Sequence, residues 1–345
     1  MLARSAISII LLCVTLIWRP AAAAPDTSPL EFNYGIPTAD HPTVFIARDL
    51  GLFEKVGLKP HFYFFQSGAP LLAGLKSGSL DVVTAGLALP FALGQGIPLK
   101  FLFWEVNDAD AEGLVVDPQS GIKSYRDIGK AKAIAAASGT CAQVALYLMA
   151  QKMGIDYAKL NVINIPAPLF RNAFLSKSID AGIAWPPYSL QLQSEGFPVV
   201  SFDADYTPKG GACPGLTAVR PAFLQQHPDI ALKLVQVEAL AREELAKNPK
   251  IGAEAVAKQL SVPLDVATAM MARQCCDEPP SFAEQVDPNS PYSMTSKGGG
   301  LIGKLMLASE ALHAVGAIPQ PLSLSALQDA VDPSYLEQYL KSAPK

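Results

Sequence analysis

Short apolar runs bounded by turn-forming residues alternate along this chain with longer segments whose apolar residues recur at helical spacing. The predicted strands are residues 30–35, 59–65, 82–84, 99–104 and 113–116. The predicted helices between them are residues 42–50, residues 70–76 and a segment that ends at Gly94. Because strands that alternate with helices form parallel βαβ units, the pattern predicts an α/β fold.

One strand–turn–helix unit near the middle of the chain carries a candidate binding site. Residues 130–137 read as a buried strand, residues 138–139 as a tight turn, and residues 140–153 as a helix closed by Gly154. The first turn of a helix has N–H groups without partners and a partial positive charge, so it can hold an anion. The small residues at this start are Ser138, Gly139, Thr140 and Cys141. The alternative is that they serve only turn and cap geometry.

The order of polar and apolar segments predicts two lobes. The polar stretch 105–112, which precedes the strand at 113–116, reads as a crossing between lobes, and helical segments return from Thr217 onward. The length of the chain is consistent with two domains. The first lobe is predicted at residues 25–116 and 217–345, and the second lobe at residues 117–216.

Residues 1–24 have the pattern of a cleaved signal peptide. Arg4 precedes an apolar run at 9–18, and four alanines follow at 21–24. We therefore predict that the mature protein is exported to the periplasm. The formal net charge of −4 and the lack of a long basic run disfavour nucleic-acid binding.

Four cysteines remain after the predicted signal peptide is removed, and three pairings are possible. They are Cys141, Cys213, Cys275 and Cys276. Adjacent cysteines rarely bond to each other, so a disulfide between Cys141 and Cys213 is the first choice. The alternative is four unpaired thiols that pack as small hydrophobic groups.

His41 follows a predicted strand and precedes a predicted helix, at the kind of edge where clefts of α/β proteins lie. Local capping or solvation is one interpretation of His41, and ligand contact is the other. The remaining histidines show no metal-ligand spacing to each other or to cysteine, which makes a zinc site unexpected. They are His61, His227 and His313.

A series of short phrases resembles a known family in order and spacing. The phrases are Ile46-Ala47, residues 51–55, Ser77-Gly78 with Asp81, residues 96–99, 127–130 and 178–181, and Val219-Arg220 with Phe223 and His227-Pro228. The chain thereby resembles the solute-binding proteins of bacterial importers for nitrate, sulfonates and taurine. These proteins share their fold with the pyrimidine-precursor binding and synthase proteins. The taurine branch is nearest, through residues 65–69, 111–116 and 184–187.

The resemblance implies a two-lobed periplasmic-binding-protein fold of type II with the ligand cleft between the lobes. It implies a monomer that presents a small organic anion to an ABC permease with its ATPase, without a cofactor and without covalent chemistry. The alternative within the resemblance is a pyrimidine-precursor binding protein or synthase. The synthases have a cysteine-rich motif, which Cys275-Cys276 resembles weakly.

The resemblance also implies a set of ligand-binding residues. They are Ser67, Gly68, Gly86, Leu87, Thr140, Cys141, Trp185 and Cys213, together with Ser138 and Gly139 of the turn. His41 is a further candidate because of its place at a strand-to-helix junction. Thr140 and neighbouring N–H groups would hold the sulfonate or carboxylate group of the ligand. Trp185 would cover the apolar or cationic end of the ligand, or else serve only core packing.

Several positions depart from the pattern of the taurine binders: Leu87 and Ala88 stand where hydroxyls are expected, and Cys141 and Cys213 replace threonines. Gly215 stands where those proteins place an acidic residue for the amine, and Glu112 is a candidate substitute unless it belongs to a solvated face. An alkyl or aryl sulfonate or a carboxylate therefore fits this chain better than taurine itself.

Overall fold

Two five-stranded sheets organise the protein in the computed structural model, which describes residues 28–39, 41–66, 68–107, 112–207, 213–273 and 279–342. The strands are β1 (Leu30–Pro37), β2 (Leu58–Phe65), β3 (Val82–Ala85), β4 (Lys100–Asn107), β5 (Gly113–Val116), β6 (Ile134–Ala135), β7 (Val162–Ile163), β8 (Ala181–Ala184), β9 (Val199–Phe202) and β10 (Pro214–Val219). The first sheet has the order β2-β1-β3-β10-β4, and the second has the order β7-β6-β8-β5-β9. The predicted α/β fold is confirmed.

Helices cover both sheets and follow most strands. The helices up to β10 are α1 (Pro42–Asp49), α2 (Leu52–Lys55), α3 (Gly68–Ser77), α4 (Ala88–Gly94), α5 (Cys141–Lys152), α6 (Phe170–Leu175) and α7 (Tyr188–Ser194). The helices after β10 are α8 (Pro221–Gln226), α9 (Ile230–Lys247), α10 (Lys250–Leu260), α11 (Leu264–Arg273), α12 (Phe282–Val286), α13 (Gly300–Ala314), α14 (Leu324–Ala330) and α15 (Ser334–Ser342). Among the residues that the structure describes, no helix has the length and apolarity needed to cross a membrane.

The first sheet is built on parallel strands with one antiparallel insertion. β1 pairs in parallel with β2 and β3, whereas β10 lies antiparallel between β3 and β4. The alternating side chains Phe32, Tyr34 and Ile36 of β1 are buried in the core of this lobe. The carboxyl ends of β1, β3 and β4 and the start of β10 therefore meet at one edge, where clefts of α/β proteins form.

The second sheet repeats this plan with shorter strands. β6 pairs in parallel with β7 and β8, and β5 lies antiparallel between β8 and β9. The predicted strand at 130–137 is mostly wrong, because only Ile134–Ala135 pair as a strand and residues up to Lys130 form a 3₁₀ helix. The apolar alanines around β6 are buried without extending the pairing.

The crossings between the sheets occur earlier than the predicted lobe boundaries at 116 and 216. β5 belongs to the second sheet, so the first crossing precedes Gly113, and β10 belongs to the first sheet, so the return precedes Pro214. Thr217 therefore lies in a strand and does not begin a helical region. The helix α13 packs against both α4 and α5, so it contacts both lobes. The predicted signal peptide at 1–24 lies outside the described residues.

Candidate functional site

The start of α5 is shaped by a left-handed glycine and an uncapped first turn. Gly139 has φ +70°, which a residue with a Cβ rarely adopts, and Thr140 follows in extended geometry at the N-cap. Among the described residues, no side chain caps the helix at Thr140. The first N–H groups of a helix lack partners within it, so those of Cys141 and Ala142 can donate to a ligand.

The loop before α5 is fixed by hydrogen bonds of its own. The Ser138 N–H donates to the Asn164 side-chain oxygen at 3.0 Å, and the Gly139 N–H donates to Gln143 Oε1 at 2.8 Å. The Thr140 hydroxyl donates to the Ala137 carbonyl at 2.7 Å. Because that proton is engaged, the donors this turn offers to an anion are backbone N–H groups and not the Thr140 side chain.

A disulfide joins the two lobes beside this turn. Cys141 at the start of α5 is bonded to Cys213 just before β10, with their Cα atoms 5.7 Å apart. Gly86 and Leu87, which follow β3 in the first lobe, lie against it. A Cβ on Gly86 would be 2.9 Å from Cys141 Sγ and 3.0 Å from Cys213 Sγ, and the Leu87 N–H donates to Cys141 Sγ at 3.5 Å. The starts of α4 and α5 therefore approach each other across the lobes.

Glu112 lies beside the disulfide. Its side chain is buried, and one carboxylate oxygen and the two sulfur atoms of Cys141 and Cys213 all lie within 4.8 Å of one another. Burial raises the pKa of the nearby Tyr206 phenol well above its ordinary value, and the negative charges of Asp203 and Glu112 raise it further. The predicted solvated-face interpretation is wrong for Glu112, because its side chain, just before β5, is only 4% exposed.

Two further contacts connect the lobes on the other side of the α5 turn. The Trp185 indole N–H, after β8, donates to the Thr38 carbonyl, after β1, at 3.5 Å. Phe91 of α4 lies against Gly139, where an added Cβ would come within 2.6 Å of the ring. Trp185 is half-buried and stands edge-on to Tyr188. These contacts hold the two inner edges together around the α5 turn.

His41 belongs to a buried polar network of the first lobe. Its Nδ1 lies 2.8 Å from Glu105 Oε2, and the Thr43 hydroxyl donates to Glu105 Oε1 at 2.9 Å. His41 is only 3% exposed and makes no side-chain cap of α1. The predicted capping or solvated role of His41 is therefore wrong.

The remaining predicted positions have simple locations. Gly68 is the first residue of α3, and Ser67, Cys275 and Cys276 lie outside the described residues. Sequence reasoning missed Phe91, Gln143 and Asn164. Only Asn164 carried a usable signal, since it is a polar residue that directly follows the apolar pair Val162-Ile163, which forms β7.

Solved structures share this arrangement of two facing α/β lobes. The alkanesulfonate-binding protein SsuA from Xanthomonas axonopodis pv. citri bound to MOPS superposes with a TM-score of 0.71 at 19% identity, covering 88% of this chain and 99% of that chain. The periplasmic nitrate-binding protein NrtA from Synechocystis PCC 6803 gives a TM-score of 0.70 at 14% identity, covering 91% and 89%. The protein thus has the two-lobed fold of periplasmic binding proteins.

The sequence assigns the family. Residues 38–251, more than half of the chain, match the family model described as NMT1/THI5 like, and the chain belongs to this family. A Bacillus subtilis (strain 168) protein whose name assigns it to the binding of aliphatic sulfonates is 31% identical over 214 residues. That alignment covers 60% of this chain and 63% of the relative, less than two thirds of its length. The predicted family resemblance is confirmed, and the taurine branch stays a prediction.

Proposed function

We propose that this protein is the solute-binding component of an ABC importer in the periplasm, which captures a small organic anion between its lobes and delivers it to a permease with its ATPase. Family membership supports a binding role, as do the names of the relatives, which specify sulfonate and nitrate binding. The single observation that supports an anionic ligand is the uncapped start of α5 between the lobes.

The start of α5 offers what an anionic group requires. The first N–H groups of a 12-residue helix point at one place, where the helix dipole adds partial positive charge. Gly86 and Gly139 let the disulfide and the Phe91 ring pack directly against the backbone beside the helix start, since a Cβ at either position would lie within 3.0 Å of them. A sulfonate or carboxylate oxygen would accept these N–H groups without needing a lysine or arginine.

The surroundings of that turn favour an organic rather than an inorganic anion. Phe91, Leu87, Trp185 and the disulfide present mostly apolar surface beside the helix start. An alkyl or aryl group would gain about 25 cal/mol for each Å² of apolar surface that it buries there. Glu112 remains the candidate partner for an ammonium group, so an amine-bearing sulfonate is a distinct arm of the test.

Ligand capture would proceed by lobe closure. The contacts of Trp185 with Thr38 and of Phe91 with Gly139 form only when the lobes meet. A ligand that touches both inner edges adds free energy to that closed state alone, so it raises the closed population by its differential affinity. The permease would then distinguish the closed surface from the open one.

Calorimetric titration and thermal unfolding of the mature protein, residues 25–345, test the proposal. The panel contains alkanesulfonates, arylsulfonates, taurine, carboxylates, nitrate and pyrimidines. We expect an alkane- or arylsulfonate, or a matching carboxylate, to bind with 1:1 stoichiometry. At 100 times its Kd it should stabilise the protein by about 2.7 kcal/mol.

Binding of a pyrimidine with no response to any sulfonate or carboxylate would contradict the proposed ligand class and favour the pyrimidine-precursor alternative. Taurine binding that is lost in Glu112→Gln, with alkanesulfonate binding retained, would instead identify Glu112 as an amine partner.

A further inference from the structure

A second kind of chemistry is available at the crossing between the lobes. Glu112, Cys141 and Cys213 are all buried, at 4%, 9% and 2% exposure. One carboxylate oxygen and two sulfur atoms lie within 4.8 Å of one another. Anion capture at the start of α5 requires neither the carboxylate nor free thiols, so this cluster is not explained by the proposed function.

We propose that reduction of the Cys141–Cys213 disulfide converts this cluster into a binding site for a borderline-soft divalent cation of the Zn²⁺ class. Two thiolates and the Glu112 carboxylate supply three ligands, and a water molecule or a bound anion completes the tetrahedron.

The distances suit such an ion once the disulfide is open. A Zn–S distance of about 2.3 Å and tetrahedral angles place two ligand sulfurs about 3.8 Å apart. Cys141 and Cys213 have Cα atoms 5.7 Å apart, so rotation of their side chains alone can separate the sulfurs to that spacing. The carboxylate oxygen already lies within 4.8 Å of both sulfur atoms.

The electrostatics of the reduced site favour a cation. Deprotonated Cys141 and Cys213 beside the Glu112 carboxylate would place three negative groups in one buried space, and like charges at such distances repel strongly. A divalent cation neutralises two of the three charges and turns the repulsion into coordination.

Features around Cys141 support its thiolate form. Cys141 is the first residue of α5, and the positive end of a helix stabilises an anionic sulfur. The Leu87 N–H already donates to Cys141 Sγ at 3.5 Å. Backbone N–H groups aimed at ligand sulfurs are a usual part of the outer shell of a thiolate metal site.

The chemistry balances with a dithiol as reductant. A dithiol passes two electrons and two protons to the Cys141–Cys213 disulfide, which becomes two thiols, while the dithiol becomes a disulfide. Binding of one Zn²⁺ then displaces the two thiol protons. Since Cys213 borders β10 of the first lobe and Cys141 begins α5 of the second, the ion would replace the covalent link between lobes by a coordinate one.

Cobalt is a direct probe of the site. The mature protein with Cys275→Ser and Cys276→Ser, which leaves Cys141 and Cys213 as its only thiols, is reduced with a phosphine in the absence of oxygen and of organic anions. Titration with Co²⁺ should give a sulfur-to-metal charge-transfer band in the near ultraviolet and the visible bands of a tetrahedral ion, with one equivalent bound. One equivalent of Zn²⁺ should abolish these bands, and the unreduced protein should show none.

Variants assign the ligands. Cys213→Ser should lower Zn²⁺ affinity at least 100-fold, and Glu112→Gln, which keeps the side-chain shape, should lower it at least tenfold in competition with a chromophoric chelator. Asp203→Asn is the matched control, because Asp203 is a buried carboxylate of the same region outside the triad, and it should change the affinity less than threefold. Circular dichroism of each reduced variant checks that it is folded.

Folded, reduced protein without a cobalt charge-transfer band would overturn the proposal. So would equal Zn²⁺ affinity in the parent and in Glu112→Gln. Neither result bears on organic-anion binding, which is measured on the oxidised protein.

Discussion

The two inner edges that face each other across the lobes obtain their polarity in different ways. In the first lobe, charged side chains are buried: Glu105 accepts from His41 and Thr43, and Arg242 donates to Glu238 at 2.7 Å and to the Trp104 carbonyl at 2.9 Å. In the second lobe, the edge consists of small residues and backbone amides at the start of α5. The first edge uses its polar groups internally, whereas under the proposed function the first N–H groups of α5 are left for a ligand.

The buried network of the first lobe shows what such internal use costs. Burial raises the pKa of the Glu238 carboxyl, and the negative charge of Glu105 raises it further, whereas Arg242 opposes both effects. Removing one partner of a buried ion pair strongly destabilises the folded protein, because the charge of the other partner is left buried without compensation. We therefore expect the first lobe to be a rigid frame that loses stability when its buried polar residues are substituted. We expect the inner edge of the second lobe to lose ligand affinity when its shape is changed.

The largest effect is expected from Glu105→Ala. His41 and Thr43 would each lose a buried hydrogen bond to a carboxylate, at about 1.5–3 kcal/mol for each hydrogen bond to a charged group. We expect the free energy of unfolding to fall by about 3–5 kcal/mol, measured by urea denaturation. Glu31→Ala is the control, since the ion pair of Glu31 with Lys59 is solvent-exposed and its loss should leave the free energy of unfolding nearly unchanged. Equal losses for the two variants would contradict the description of the first lobe as a frame.

The next largest effect is expected at Gly139 in the second lobe. Comparison with Gly154 separates the steric effect of a new side chain from the effect of backbone strain. Gly139 and Gly154 have φ of +70° and +65°, so alanine strains the backbone at either position by roughly 1–2 kcal/mol. At Gly139 the new Cβ meets the ring of Phe91 at 2.6 Å, whereas at Gly154 it has no atom of the described residues within 4 Å. Gly139→Ala should weaken binding of the anion at least tenfold by calorimetry, and Gly154→Ala should leave affinity within twofold. Equal affinities would mean that Phe91 and Gly139 need not meet for binding.

A smaller effect is expected from Trp185→Phe. The variant keeps an aromatic ring but loses the N–H that donates to the Thr38 carbonyl, worth about 0.5–1.5 kcal/mol. Anion affinity should fall about two- to tenfold. The ligand-induced change in tryptophan fluorescence should disappear, because Trp104 is fully buried in the first lobe. A fluorescence change that persists in the variant would assign the signal to Trp104 and contradict closure at Trp185.

The smallest effect concerns the junction between the lobes. Burial lowers the pKa of Lys304 to about 8, although the negative charge of Asp203 raises it, and the ammonium lies 5.8 Å from the Trp104 ring centre. Below pH 8 the lysine is charged in both the folded and the unfolded state, so the cost of burying the charge is fully present. Between pH 8 and about 10.5 the folded state releases this proton first, so stability rises with pH.

Lys304→Met provides the comparison for this titration. The Tm of the wild type minus that of the variant should increase between pH 8 and 10, on the order of 1–2 °C for a contribution below 1 kcal/mol. A difference that stays constant or decreases with pH would show that Lys304 does not release its proton in the folded protein in this range.

Local sequence signals predicted the start of α5 well. Its helix runs Cys141–Lys152 with Thr140 at the N-cap and Gly154 at φ +65°, close to the predicted 140–153. Turn residues and helical spacing act over a few positions, so a single sequence contains them. The family resemblance supplied the ligand cleft between the lobes and the facing positions Gly86 and Cys213, which no local pattern connects.

Sequence reasoning failed where distant contacts decide. Thr217 was placed in a helical region, yet it pairs with Thr84 and lies in β10, because the neighbouring strands impose that structure. His41 looked like a surface or cap residue because its partner Glu105 is 64 positions away. Glu112 belongs to a polar stretch of sequence, and only the crossing of the chain between the sheets buries it.

The return of β10 to the first sheet has a consequence for biogenesis. The second sheet comes from one uninterrupted segment between β5 and β9, whereas the first sheet stays incomplete until β10 has been synthesised, and β4 is also bridged at Phe101 by Val331. Pairing over such sequence separations is slow to form. In a nascent polypeptide β1 can pair with β2 and β3 early, whereas β4 has no neighbouring strand until β10 has been synthesised. For a protein predicted to be exported, we expect this delay to help the leading portion stay unfolded until it has passed through a secretion channel.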